Sequence, residues 1–219
     1  EGIDKLITLH QCKCRRWYKT RKFVWEQRKL GETYQKIRNA FVGTASPYYV
    51  DSGHFYLESN NVKDGQINRN TEIFINDEFY EKQKDNWLHT GDIVMVQSGH
   101  VGHTAVIPEN LDNTAAHALI IIANPVDNTV SQYINYYFQT KRAKAGIDNI
   151  TTGNTIKHIL ASEMKKFEIM LPQDKEQQMI ADHFQNIDNL ITLHQWKLEK
   201  LKNIKKLCLR EYLFRRQEK

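Results

Sequence analysis

The residue types best suited to contacting a polar ligand lie in a glycine-bearing stretch, GDIVMVQSGHVGHTAVI, at positions 91–107. Its two apolar runs predict a strand, a tight turn and a second strand, with Gly99 and Gly102 permitting close backbone approach. Four polar side chains would project from this turn, namely Gln97, Ser98, His100 and His103. Amides and hydroxyls in such a loop can contact base edges or phosphates. An ordinary hairpin with a polar tip is the alternative interpretation.

A second polar segment, TTGNTIKHI at 151–159, has the composition of a helix start. The pattern predicts a short helix near 156–161, with Asn154 or Thr155 as its cap. Free N–H groups at a helix N-terminus bind anions, and Lys157 would add a positive charge there. Capping alone is the alternative, but a cluster of basic residues just upstream favours a phosphate contact. That cluster consists of Lys141, Arg142 and Lys144.

Signals for catalysis, a cofactor or a metal are weak throughout the sequence. There is no glycine-rich phosphate loop of the GxGxxG or Walker type. Cys12 and Cys14 with His10 offer too few ligands for zinc, which takes about four. Glu163 and Lys165 have a spacing found in nucleases, but such a pair arises often by chance. The sequence therefore predicts no metal, no cofactor and no enzymatic activity of its own.

The sequence between the two terminal segments has a pattern typical of a sheet-containing domain. Short runs rich in β-formers are separated by turn signals. These runs are PYYV (47–50), HFYL (54–57), EIFI (72–75), DIVMVQ (92–97), HTAVI (103–107) and HALIIIA (117–123). A helix over 131–144 and a strand over 167–171 follow. This pattern predicts an α+β domain with a substantial mixed or antiparallel sheet.

A long amphipathic helix is predicted to end the chain. LPQDKEQQMIADHF (171–184) ends a strand at Pro172 and starts a helix with Asp174 as N-cap and Gln177 in the capping-box position. No Pro or Gly interrupts the chain from 174 to about 215, so one helix of roughly 40 residues could run about 60 Å. Apolar residues recur on one face, at Ile187, Leu190, Ile191, Leu198, Leu201 and Ile204. So long an amphipathic helix needs a partner along its length.

The start of this apolar face is repeated at the other end of the chain. IDKLITLHQ (3–11) differs from IDNLITLHQ (187–195) at one position only, where Lys5 corresponds to Asn189. A match of this length is a repeated structural unit. The first copy diverges after Gln11, so we expect a shorter and less regular helix over about 2–21.

The net charge of +5 belongs to the ends of the chain. Residues 1–40 hold 11 Lys and Arg against 4 Asp and Glu, whereas 41–195 hold 11 against 19, a net charge of −8. Any nucleic-acid contact by the middle must therefore come from local basic clusters and polar loops. No apolar run is long enough to span a membrane, and three cysteines make no disulfide framework. A cytoplasmic location is the default expectation.

Taken together, these segments resemble the specificity (S) subunit of Type I restriction–modification systems, in particular its C-terminal half. The segments that carry the resemblance are WEQRKLGE (25–32), GDIV…SGHVGH (91–103), GNTIKHI (153–159), LPQDKEQQMIADHF (171–184) and IDNLITLHQWKLEKLKNIKK (187–206). The resemblance implies a non-catalytic subunit whose target-recognition domain binds one half of a bipartite site in double-stranded DNA. It also implies conserved helices that pair antiparallel, set the spacing between half-sites and dock methyltransferase (M) subunits, through which restriction (R) subunits join.

The chain departs from this family pattern because it holds one recognition domain where a full S subunit holds two. The expected organisation is a partial spacer helix at 1–22, a target-recognition domain at 23–173 and a dimerisation or spacer helix at 174–219. The chain is then either a half-sized subunit that dimerises through its C-terminal helix or a fragment of a longer protein. The homodimer is favoured.

The residues predicted to contact DNA are Tyr48, Tyr49, Gln97, Ser98, His100, Arg142, Lys144, Thr152, Asn154 and Lys157. Lys157 and Arg142 would bind phosphate, while Gln97 and Asn154 would contact base edges. Two alternatives remain open. One is a coiled-coil assembly protein with no role at DNA, and the other is an orphan DNA-modifying enzyme.

Overall fold

The computed structural model describes residues 25–153 and 157–217, with side chains as far as residue 210. In chain order the strands are β1 (Glu26–Lys29), β2 (Tyr34–Asn39), β3 (Tyr49–Val50), β4 (His54–Leu57), β5 (Val62–Lys63), β6 (Gln66–Ile67), β7 (Phe74–Ile75), β8 (Ile93–Val96), β9 (Thr104–Val106), β10 (Ala115–Ala116), β11 (Leu119–Pro125) and β12 (Glu168–Leu171). The helices are α1 (Leu30–Thr33), α2 (Asp77–Lys82), α3 (Ser131–Phe138), α4 (Lys141–Ile150), α5 (Ala161–Lys166) and α6 (Asp174–Gln217). The α+β class with a long C-terminal helix is confirmed.

The chain divides into two compact units, Glu1–Gln178 and Met179–Lys219. The first unit contains the sheets, and the second unit is the greater part of α6. The proposed first helix and the first copy of the repeat, at 1–22, lie outside the described residues. Among the described residues, no helix combines the length and the apolarity that crossing a membrane requires.

An antiparallel sheet in the order β2-β11-β8-β9 forms the centre of the first unit. Its inner strands β8 and β11 are buried on both faces, and this is why they appear in the sequence as continuous apolar runs. Val94, Val96, Leu119 and Ile121 belong to one core cluster on this sheet. The polar turn that follows β8 therefore begins at the end of a strand whose residues are all buried.

A second, mixed sheet has the order β10-β4-β7-β3, in which only the β10–β4 pair is parallel. Tyr56, Ile75 and Phe79 form its buried core. Two smaller pairs complete the unit, β5 with β6 and β1 with β12. The β1–β12 pair joins the start of the domain to its end, since the register matches Glu26 with Leu171.

The prediction of a single helix over 131–144 is wrong, because the structure has two helices there, α3 and α4. The break falls at Thr140, whose hydroxyl oxygen accepts a hydrogen bond from the Ala143 N–H at 3.2 Å. Thr140 is therefore an N-cap, and a Ser or Thr cap fixes the start of a new helix. The second of these helices, α4, extends beyond the predicted end at 144 to Ile150.

The helix predicted to begin at Asp174 is present and runs 44 residues. Gln177, however, makes contacts outside its own first turn. Its side-chain oxygen accepts from the Val130 N–H at 3.0 Å, and its side-chain nitrogen donates to the Pro172 carbonyl at 2.9 Å. Gln177 thus ties the first turn of α6 to the loop before α3, which is a tertiary role in place of a local capping box.

Candidate nucleic-acid interface

The turn between β8 and β9 forms as the sequence predicts. Gly99 and Gly102 have φ angles of 76° and 86°, which are in the left-handed region that favours glycine. The N–H of Val96 donates to the His103 carbonyl at 2.8 Å, and the N–H of Gly102 donates to the Val96 carbonyl at 3.0 Å. These bonds close a tight turn at the end of a buried strand.

The segment that follows α4 pairs with this turn through its backbone. The N–H of Ile159 donates to the Gln97 carbonyl at 3.0 Å, and the N–H of Gly99 donates to the Lys157 carbonyl at 3.1 Å. Thr152 and His158 exchange two further backbone bonds, of 2.9 and 2.8 Å. The described parts of the two polar segments singled out in the sequence are therefore hydrogen-bonded neighbours, and we call residues 97–103 with 151–153 and 157–159 the paired loops.

The prediction of a helix near 156–161 is wrong for the described residues 157–160. Residues 157–160 are not helical, and α5 begins only at Ala161. The reason is that the backbone of 157–159 is hydrogen-bonded to Thr152, Gln97 and Gly99, which leaves no N–H groups in a helical turn. The anion site expected at this helix start is therefore not formed by residues 157–160.

The backbone bonds of the paired loops leave their side chains available to a ligand. His100, Thr152 and Lys157 are exposed, while Gln97 and Ser98 are half-buried. Asn154, the other predicted base contact, lies outside the described residues. Five of the predicted residues thus share one continuous surface.

Helix α4 packs against the same turn. A Cβ at Gly102 would lie 3.1 Å from Cγ2 of Ile147, so the turn lies directly on the helix. Lys144, one helical turn before Ile147, is exposed, as is Arg142. The Lys157 ammonium group lies 3.4 Å from the Asp148 carboxylate, so part of its positive charge is compensated within the domain.

The turn between β5 and β6, a feature that sequence reasoning did not assign to the site, lies on its other side. Gly65 bridges to Ala105 of β9. The N–H of Asp64 donates to Nδ1 of His103 at 3.3 Å. No local sequence pattern assigns Lys63-Asp64-Gly65 to this site, because the proximity of the turn to His103 depends on tertiary contacts.

His103 has a lowered pKa. The main cause is burial, and the positive charges of Lys144, His100 and Lys63 act in the same direction, against the opposing charge of Asp64. Of these groups, Lys63 adjoins Asp64, and Lys144 lies on helix α4, which packs against the turn that carries His103.

Tyr49 is the first residue of β3 in the mixed sheet, and Tyr48 directly precedes that strand. The Tyr48 ring stacks on Phe79 with centroids 4.1 Å apart, and the Tyr49 hydroxyl donates to Glu58 at 2.7 Å. Both side chains thus have structural partners, and their contact with DNA stays a prediction. Arg142 lies close enough to Tyr137 to oppose the burial that raises the pKa of that phenol.

The second unit carries an apolar face without protein cover. Leu201 is 64% exposed and Ile191 is 49% exposed. Leu190, Leu198 and Ile204 are exposed to a similar degree, while Ile187 is half-buried. Charged residues flank this face, with the Lys200 ammonium 3.8 Å from the Trp196 ring centroid. Among the described residues, no three His, Cys, Asp or Glu side chains are grouped so as to hold a metal ion.

Comparison with known proteins assigns the class to which this fold and surface belong. Residues 24–203 match the sequence model of the Type I restriction modification DNA specificity domain, so the chain belongs to that family. It is 32% identical over 101 residues to the Type I restriction enzyme MjaIX specificity subunit of Methanocaldococcus jannaschii, a match covering 46% of this chain and 23% of that protein. A putative type I restriction enzyme specificity subunit of Haemophilus influenzae is 28% identical over 135 residues, covering 59% and 34%.

Solved structures share the fold at low sequence identity. A chain from a study of complex assembly and conformational transition of the type I R-M system superposes with a TM-score of 0.60 at 18% identity, covering 84% of this chain and 43% of that one. The S subunit from M. genitalium gives a TM-score of 0.54 at 15% identity, covering 78% and 40%. This chain therefore spans less than half the length of the proteins it matches.

Proposed function

We propose that this chain is a non-catalytic DNA-recognition module of a cytoplasmic Type I restriction–modification complex and binds one half of a bipartite target. The observation that carries the proposal is the pairing of the two polar loops into one surface, on a domain that belongs to the specificity family. Helix α6 would dock methyltransferase subunits and, through them, restriction subunits.

The paired loops have the chemistry that sequence recognition requires. Gln97 can donate and accept at once, which suits a bidentate contact to adenine in the major groove. The Ser98 hydroxyl can either donate or accept a hydrogen bond, and Thr152 and His100 add further donors beside it. Because the backbone of both loops is tied to β8, these side chains approach DNA from a fixed position, and fixed positions favour discrimination between bases.

Charge limits the affinity of the isolated chain. The middle of the sequence is net negative, and Lys157 is paired with Asp148. Phosphate neutralisation supplies most non-specific DNA affinity, so a domain of this charge binds weakly by itself. The assembled complex would supply the rest of the affinity.

The apolar face of α6 also suits the alternative of a coiled-coil assembly protein with no role at DNA. The two functions differ in what the paired loops do. If Lys157→Ala and Arg142→Ala leave both DNA affinity and restriction specificity unchanged, the assembly function is favoured.

The proposed function is tested by mapping methylated sites in cells that express the methyltransferase subunits with and without this chain. We expect methylation at one bipartite motif that disappears when the chain is removed, and Gln97→Ala should relax or abolish recognition at one base of that motif. Gln35→Ala, an exposed glutamine on β2, is the matched control and should leave the motif unchanged. Methylation that does not depend on the chain would exclude the proposal, and methylation or cleavage by the purified chain alone would make it an enzyme.

A further inference from the structure

The turn between β5 and β6 is held rigidly beside the paired loops. The buried side chain of Asn135 donates to the Gly65 carbonyl at 2.9 Å and accepts from the Thr104 hydroxyl at 2.8 Å. Gly65 has a φ of 84°, and a Cβ there would collide with the side-chain amide of Gln139. The position of this turn relative to β9 is therefore built into the core.

The same turn fixes the proton of His103 on one ring nitrogen. Because Nδ1 accepts the Asp64 N–H, the neutral imidazole must carry its hydrogen on Nε2. The ring is 31% exposed, and no acceptor for Nε2 lies among the described residues. The lowered pKa of His103 favours the neutral ring, whose Nε2–H is then an uncharged donor without a partner among the described residues.

Two exposed lysines lie on the segments that contact His103 and its turn. Lys63 adjoins Asp64, whose N–H bonds to His103, and Lys144 lies one helical turn before Ile147, on which Gly102 packs. The charges of both lysines also lower the pKa of His103. Neither forms an ion pair with a carboxylate of the described residues, in contrast to Lys157, which is paired with Asp148. Asp64, the acidic neighbour, is 70% exposed and has its carboxylate 3.8 Å from Nδ1 of His103, the ring nitrogen that is not the free donor.

We propose that Lys63, Lys144 and the Nε2–H of His103 form a binding site for a backbone phosphate of the DNA, separate from the base-contacting side chains of the paired loops. The inference rests on the proposed function and adds to it the group that fixes the domain on the DNA strand. Two cations and a neutral donor match the charge and the acceptor oxygens of a phosphodiester. The site would orient the domain, while Gln97 and Ser98 distinguish bases.

The test uses the full chain assembled with its methyltransferase subunits and a duplex that carries its mapped target. Lys63→Gln and Lys144→Gln should each lower the slope of log K against log salt by about 0.9, the contribution of one phosphate contact. Each substitution should weaken the binding of the complex to cognate and to unrelated DNA by the same factor. His103→Ala should weaken the binding to both duplexes by a few-fold. It should leave the slope of log K against log salt unchanged, because a neutral donor releases no counterion.

Lys82→Gln, an exposed lysine on α2, is the matched control and should leave both affinity and slope unchanged. Nitrogen NMR of the free chain at pH 7.5 gives a readout without DNA, and it should show His103 neutral and protonated on Nε2. An unchanged slope in both lysine variants, or a charged or Nδ1-protonated His103, overturns the phosphate site while sequence-specific binding remains. Loss of sequence-specific binding in the unaltered complex instead overturns the proposed function, and this site with it.

Discussion

His117 lies between two acceptors and ties an exposed loop to the mixed sheet. Its Nδ1 is 3.3 Å from Glu58 Oε1, and its Nε2 is 3.0 Å from the Gly43 carbonyl. Since both ring nitrogens meet acceptors, the protonated imidazolium fits this site best. The hydrogen bond to Glu58 raises the pKa of His117 and lowers the pKa of Glu58, and Tyr49 donates to the same carboxylate oxygen.

This pair predicts a pH dependence of stability. The pKa of His117 is raised, so its stabilisation is complete below the ordinary value of 6.5 and is lost as pH rises through the raised value. The pKa of Glu58 is lowered, so its stabilisation is complete above the ordinary value of 4.5 and is lost as pH falls through the lowered value. The free energy of unfolding should therefore gain most from the pair between pH 4.5 and 6.5.

Urea unfolding of His117→Gln measures this contribution. The variant should lose on the order of 1 kcal/mol near pH 6, because the pair is only half-buried, and should lose less above pH 8. His89→Gln, an exposed histidine near Asp112, serves as the control. Equal destabilisation by His117→Gln at pH 6 and pH 9 would show that the imidazolium charge contributes nothing.

At the scale of elements, the sequence was most informative where burial is uniform. DIVMVQ contains β8, and HALIIIA contains the part of β11 whose residues are all buried. Strand β2 was missed because its buried residues Tyr34 and Ile37 are three apart, a spacing that lacks the alternation of a half-buried strand.

The paired loops show what local sequence could not supply. Small polar residues at 151–155 favour a helix start when considered alone, but the backbone around His158 bonds to residues about 60 positions earlier. The proximity of Lys63 to His103 likewise depends on Asn135, which no local pattern marks as a link. Polar candidates on two loops were therefore found, while their arrangement and the third loop came only from tertiary structure.

Asn135 provides an element-scale prediction, because it joins α3, β9 and the β5–β6 turn. Asn135→Leu keeps the volume but leaves the Gly65 carbonyl and the Thr104 hydroxyl without their partner. Two unsatisfied buried groups should cost about 2–4 kcal/mol in the free energy of unfolding. Denaturant unfolding measures this loss, with Asn149→Leu on the exposed face of α4 as the control. Equal stability of the two variants would show that the network does not hold the turn.

At the scale of the whole molecule, the chain has one sheet-containing unit and a second unit formed by a long helix, whose apolar residues from Leu190 to Ile204 are exposed. Relatives in the family are more than twice as long as the part matched here. The bipartite target that we propose would need a second recognition unit, and a second copy of this chain is the simplest source. A symmetric pair would present two identical domains and favour a palindromic bipartite site.

Antiparallel pairing of two α6 helices is therefore predicted for the full chain. Each leucine buried at such a seam contributes roughly 1.5–3 kcal/mol to the free energy of dimerisation. Because the dimer is two-fold symmetric, each position contributes once from each chain. Light scattering should give about twice the 25.8 kDa chain mass, whereas a chain truncated before Ile187 should be monomeric. Leu201→Glu should shift the full chain toward monomer, and Lys202→Glu, one position away and exposed, should not. A full chain that stays monomeric at high concentration would contradict the dimer and require the missing half-site reader to come from another chain.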